Sequence, residues 1–298
     1  MTPNIFIKNK FSRKAISLTI ILLKGLGQIM LQGNSVTGFL FLVGIFYGSL
    51  TMGIAALLAT ICGTTTAFLL KYDKAEINKG LYGFSAALVG VAIMLFLKPV
   101  FISWIILVIG SALATVIQHF FMKRKIPVFT LPFVVITWLI LFFTNNYFTG
   151  LLSEVSITAA SSINYFTVGF KGYGQVIFQG SIISGILFFI GILISSPISA
   201  LYGLAGAIIS AIIAFIFSAP VEDISIGLFS FNAVLCAIVF SGKQMKDCIW
   251  SVIAVILSLF ISLLLLKFDI MQLTFPFVLA SCIILFVKEK YENRFQNN

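Results

Sequence analysis

Three segments of this chain occur twice, in the same order. Lys24–Ile45 reads KGLGQIMLQGNSVTGFLFLVGI and Lys171–Ile192 reads KGYGQVIFQGSIISGILFFIGI, with eleven of 22 positions identical at a constant offset of 147. The same offset carries GLYGFSAAL (Gly80–Leu88) onto GLFSFNAVL (Gly227–Leu235). At an offset of 144, TLPFV (Thr130–Val134) recurs as TFPFV (Thr274–Val278). Such a chain is constrained to fold as two like halves, and a site shared by both lies where they meet.

The solvent of those halves follows from composition. The chain is 60% hydrophobic, 9% charged, and has a mean hydropathy of +1.14. A soluble domain of this size cannot hide so much apolar surface, so the bilayer is the expected solvent. The first apolar stretch follows Lys8, Lys10, Arg13 and Lys14 as a signal peptide would, but it contains the repeat unit and reads as mature structure. The net charge of +10 fits loops that stay cytoplasmic better than a nucleic-acid partner. Twelve basic residues fall on one expected side: Lys8, Lys10, Arg13, Lys14, Lys123, Arg124, Lys125, Lys243, Lys246, Lys288, Lys290 and Arg294. Lys71, Lys74, Lys79, Lys98 and Lys267 fall on the other, which places both termini in the cytoplasm.

Hydropathy predicts an all-α polytopic membrane protein with ten spanning helices, five per half. The first half supplies 12–31, 36–48, 50–71, 101–122 and 126–146; the second supplies 161–180, 184–196, 198–218, 247–267 and 271–289. Between the third and fourth span of each half lies a Gly-started apolar piece, 80–97 and 227–241, read as a re-entrant half-helix. An odd number of spans per half makes the repeat inverted, about an axis in the membrane plane. The halves, 1–150 and 151–298, meet at a link over 147–160 and form one integral pore domain. Non-helical backbone at the re-entrant tips is allowed only where protein or a water-filled path receives it.

The acidic residues all fall in loops or at helix ends, so the mid-span carboxylate common in ion-coupled carriers is missing. There is no carboxylate pair for acid–base work, no metal-ligand spacing among Cys62, Cys236, Cys248 and Cys282, and no phosphate-binding loop. His119, a lone histidine beside a basic loop, reads as interfacial. No cofactor and no enzymatic role are expected. Passive conduction of a neutral solute fits these features best.

Several repeated side chains are candidates for such a path. Lys24 and Lys171 lie four residues before Gln28 and Gln175, on the same helix face. They read first as snorkelling or carbonyl-anchored lysines, and second as positive potential at a pore mouth. Gln28 and Gln175 offer amides beside Leu31 and Phe178; the competing reading is glue between helices. Phe84 with Leu88, and Phe231 with Leu235, are four apart and share a face, either as ordinary packing or as two flat apolar slots. Thr130 and Thr274 each precede a Pro-Phe by two residues. In a spanning helix that proline frees a carbonyl and bends the axis, and the hydroxyl either satisfies its own backbone or lines the path.

Taken together, GLGQIMLQGN with GYGQVIFQGS, GLYGFSAALVG with GLFSFNAVLCA, and TLPF with TFPF resemble the bacterial and animal urea transporter family over about 20–290. The resemblance implies ten spanning helices, two tilted half-helices and a homotrimer with one pore per protomer. It implies Phe84 and Leu88 in one slot, Phe231 and Leu235 in the other, Thr130 and Thr274 at the central constriction, and Gln28 and Gln175 at the outer sites. The implied activity is passive, facilitated diffusion of urea across the cell membrane. Departures accompany the likeness: Ser85 stands where the family often has Asn, as Asn232 does in the second half; Gln175 stands where some members carry a carboxylate; Leu31 stands where relatives are aromatic. Selectivity among urea, its analogues, ammonia and water therefore stays open, as does a membrane enzyme or sensor on the same fold.

Overall fold

A computed structural model describes residues 3–154 and 164–296. Residues 155–160 of the expected link and 161–163 of the expected span 161–180 lie outside that range. The first half folds as α1 (Pro3–Gly27), α2 (Ser35–Gly48), α3 (Leu50–Leu69), α4 (Lys74–Asn78), α5 (Phe84–Phe96), α6 (Phe101–Lys123) and α7 (Leu131–Tyr147). The second folds as α8 (Tyr165–Gln175), α9 (Ile182–Ser195), α10 (Pro197–Ile216), α11 (Val221–Ser225), α12 (Phe231–Val239), α13 (Met245–Lys267) and α14 (Phe275–Gln296). No strand occurs among the described residues; Leu97 and Leu152 make an isolated bridge. The chain is an all-helical, multi-pass membrane protein.

Local chemistry repeats with the sequence. Asn34 and Ser181, 147 apart, cap α2 and α9 by accepting from Val36 N–H at 2.8 Å and Ile183 N–H at 3.2 Å. Ser49 and Ser196 cap α3 and α10 in the same way. Left-handed backbone also recurs in pairs among the described residues: Leu31 with Phe178, Lys71 with Ser218, Gly80 with Gly227, Lys125 with Asp269, and Phe129 with Leu273. Each non-glycine member carries a steric cost in that region. The fold keeps the bend in both halves although the side chain has changed.

The halves join through reciprocal contacts. Thr37 Oγ1 donates to Gly191 O at 2.6 Å, and Ser184 Oγ donates to Gly44 O at 2.8 Å. Thr37 corresponds to Ser184 and Gly44 to Gly191, while Phe41 and its own counterpart Phe188 meet edge to face at 5.1 Å. A second exchange flanks α7 and α14. Trp138 Nε1 donates to Met271 O at 2.8 Å, and Cys282 Sγ lies 3.3 Å from Pro127 O. These four positions also pair, at the offset of 144. Contacts in which i meets j and j meets i are what a local two-fold axis produces.

Some expected boundaries shift. Four helices (α3, α6, α10, α13) are individually long and apolar enough to cross a bilayer, and α1 with α2 makes a fifth if that pair, bent by 76°, counts as one. The expected spans 36–48 and 184–196 are 14-residue helices, about 21 Å long against a hydrocarbon core of about 30 Å. The expected span 126–146 begins as helix only at Leu131, and 271–289 only at Phe275. Pro132 and Pro276 thus sit in the first turn of a helix, where a missing N–H costs nothing, and do not bend one from within.

The loop over 70–82 was expected at the end opposite Lys123–Lys125; the structure places it at the same end. Tyr72 stacks on His119 with ring centroids 3.6 Å apart, and the Tyr82 hydroxyl bonds His119 Nδ1 at 2.9 Å and the Glu76 carboxylate. Lys246–Glu292 and Lys288–Asp247, each 3.8 Å, gather the other basic segments, and Pro127 shares a surface recess with Lys288 and Glu292. Lys98 marks the far end, donating to Gly150 O at 3.0 Å, so the piece 80–97, expected as a re-entrant half-helix, instead runs from one end toward the other. Moving Lys71, Lys74 and Lys79 across leaves fifteen basic residues at one end and Lys98 and Lys267 at the other, a steeper bias than the hydropathy pattern gave.

A candidate conduction path

α1 ends in a 3-10 turn over Gln28–Met30, and Leu31 follows with φ 62°. That reversal turns Gln28 and Leu31 into a cavity of about 220 Å³, whose other walls include Phe84, Gln118, Phe129 and Thr130. Gln28 Nε2 donates to Lys79 O at 3.1 Å, which fixes its amide against the turn that leads into α5. Phe84 is the first residue of α5 and is 6% exposed; Leu88, one turn further, is fully buried. The non-helical stretch 126–130 brings unwound backbone into the cavity wall, the one environment in which such backbone is tolerated at membrane depth.

The cavity ends at a side-chain pair from both halves. Thr130 Oγ1 and Thr274 Oγ1 lie 2.6 Å apart, both nearly fully buried. Neither hydroxyl bonds its own helix, the alternative open from sequence. A hydrogen-bonded hydroxyl pair keeps one proton to give and lone pairs to accept, so it can meet a polar solute as donor or acceptor. Asn232 steadies the second-half member: its Nδ2 donates to Leu273 O and its Oδ1 accepts from Phe277 N–H, both at 3.2 Å.

The second-half candidates are arranged less openly. Phe231 opens α12 and is 5% exposed, and Leu235 is fully buried, as their counterparts are. Phe178 repeats the left-handed turn of Leu31 but packs edge-on against Phe96 at 5.9 Å and Phe133 at 6.1 Å. Leu31 is 38% exposed. Gln175 is half-buried and its side chain makes no hydrogen bond among the described residues. Lys171 Nζ donates to Ser225 O at 3.0 Å, the carbonyl anchor that was the first reading of this lysine. The cavity thus gathers Gln28, Leu31, Phe84 and Thr130; it does not include Leu88, Gln175, Phe178, Phe231, Leu235 or Thr274 in its lining. Sequence reasoning missed Gln118, a buried amide on the predominantly apolar α6, whose only signal was its polarity at that depth.

Comparison with known proteins identifies a family. Residues 19–289 match the family model described as urea transporter. The chain is similar to urea transporter 1 of Mus musculus, 31% identical over 245 residues, covering 75% of this chain and 63% of that protein. It is similar to urea transporter 1 of Rattus norvegicus, 29% identical over 241 residues with the same coverage, 75% and 63%. The protein of that name from Ovis aries is 27% identical over 310 aligned positions, covering 94% of this chain and 79% of the relative. Against the mouse and rat proteins the match spans less than two thirds of the relative's length.

Proposed function

The chain belongs to the urea transporter family, and from that premise we propose that it is a urea channel working by facilitated diffusion. In this reading the two halves, 1–150 and 151–298, form one pore domain as an inverted repeat, each half carrying one short helix, α5 or α12, among its spanning helices. The protein sits in the cell membrane as a homotrimer, both termini cytoplasmic, with the lysine-rich end inside. The bias of fifteen basic residues to two supports that orientation.

The observation that carries the reading is a cavity that runs from an amide, Gln28, past Phe84 to the hydroxyl pair at which the halves meet. Urea is small, flat, neutral and strongly polar. Its faces slide against Phe84 and Leu88 on one side of the constriction and Phe231 and Leu235 on the other, while its edges need hydrogen-bond partners. Gln28 and Gln175 serve at the two mouths, beside Leu31 and Phe178, and Thr130 with Thr274 serve at the centre. A hydrated ion finds no compensation for the water it must shed between apolar walls. Weak binding at each step lets the solute leave quickly, and no proton or sodium site is required.

Stopped-flow light scattering on proteoliposomes, without an ion gradient and with or without a phloretin-type blocker, tests this. Fast, inhibitable urea entry is the expected result. Entry no faster than in empty vesicles, from correctly folded protein, overturns it and directs attention to ammonia and other small amides. Thr130→Val together with Thr274→Val is expected to cut urea flux on the order of tenfold while assembly is retained; unchanged flux removes those hydroxyls from the mechanism.

A further inference from the structure

The polar groups beside the threonine pair are placed differently in the two halves. At the offset of 147, Ser85 corresponds to Asn232; at 144, Gln118 on α6 corresponds to Ser262 on α13. One half carries hydroxyl then amide, the other amide then hydroxyl. In the second half both groups are occupied by protein. Asn232 bonds Leu273 O and Phe277 N–H, and the Ser262 hydroxyl donates to Ser258 O at 3.0 Å. In the first half the Ser85 hydroxyl donates to Gln118 Oε1 at 3.3 Å. Gln118 is 4% exposed, its Nε2 has no partner among the described residues, and its side chain lines the cavity with Phe84 and Thr130. That nitrogen is not one of the buried, unpartnered polar atoms; it opens on the cavity, free to donate to what enters it.

We infer that Gln118 is a solute-contacting, specificity-determining residue of the first-half vestibule. Its Nε2 donates to the carbonyl oxygen of the passing solute between the Gln28 mouth and the threonine pair. Ser85 is a positioning residue that holds the amide by its oxygen and leaves the nitrogen turned to the path. The assignment rests on the urea-channel reading and deepens it: the first-half side of the path selects for a strong oxygen acceptor at one edge of a flat molecule. Thiourea, with the same shape and a weakly accepting sulfur, gains less from that donor.

Permeabilities for urea and thiourea in proteoliposomes of the wild type, Gln118→Leu and the double variant Ser85→Asn with Gln118→Ser test the assignment. Gln118→Leu is expected to lower urea permeability about two- to tenfold and thiourea permeability less, so the urea-to-thiourea ratio falls. The double variant installs the second-half arrangement in the first half, keeps the buried groups polar, and carries the test if the leucine variant does not fold. It is expected to show the same fall in ratio. A wild-type ratio in the folded variants overturns the assignment, whether urea flux is retained or both solutes are slowed alike, because the side chain then only packs. A folded wild type that passes no urea overturns the channel reading itself, and this assignment with it.

Discussion

In the second half Asn232 ties α12 to the start of α14; in the first half Ser85 stands at that position and the buried amide sits on α6 as Gln118. The same contrast recurs elsewhere. Phe178 is wedged among aromatic rings, whereas its counterpart Leu31 is exposed at the cavity mouth. Glu76 is bound by Tyr82, which also meets His119; the matching positions hold Asp223, Phe229 and Leu263. Burial, and after it the neighbouring Glu222 carboxylate, pushes the Asp223 carboxyl up from its usual range. Where helices cross, by contrast, the halves agree: the same caps, the same left-handed turns, the same glycines. Backbone geometry has been held while the polar groups around the threonine pair have diverged.

The largest test of that agreement is at the glycines where α1 crosses α2 and α8 crosses α9. A Cβ at Gly38 would overlap the Leu23 carbonyl, and one at Gly185 the equivalent Phe170 carbonyl, backbone that cannot step aside. Gly38→Ala and Gly185→Ala are each expected to cost on the order of 4 kcal/mol or more, read as loss of the monodisperse peak in size-exclusion chromatography. If one half tolerates the change, the crossings are less alike than they look. A smaller effect separates the halves at Asn232. Asn232→Ser removes two bonds from the α14 start and is expected to lower stability by about 1–3 kcal/mol, seen as a lower unfolding midpoint in detergent. No shift would mean that α14 is held without it. The smallest difference lies on the axis itself. A Cβ at Gly44 would come within 2.5 Å of the Phe188 ring, and one at Gly191 within 3.2 Å of the Phe41 ring. Gly44→Ala is expected to cost about 1–3 kcal/mol and Gly191→Ala clearly less. Equal midpoints would show that both rings yield alike.

Much of this was legible because repetition is a strong signal. The segments around Gln28 and Gln175, Phe84 and Phe231, and Thr130 and Thr274 were visible as matched pairs, and the threonines do meet. Helix boundaries were less legible. Hydropathy cannot tell that residues 126–130 leave the helix, because Ile126 to Thr130 are as apolar as the span they precede. Nor could it place the loop over 70–82, whose end of the bundle is settled by ring stacking between Tyr72 and His119. Gln118 stayed hidden because its partner is 33 residues away, on another helix.

The exchange of Thr37 and Ser184 hydroxyls across α2 and α9 makes each half carry a self-complementary face. Such a face is what a pair of separate subunits uses to dimerise, so the covalent link does little beyond raising the local concentration of one half around the other. A chain divided after Glu154 and co-expressed as two polypeptides therefore retains the means to reassemble, with assembly then depending on expression level. A single half, given a second copy of itself in the opposite orientation, presents the same handshake.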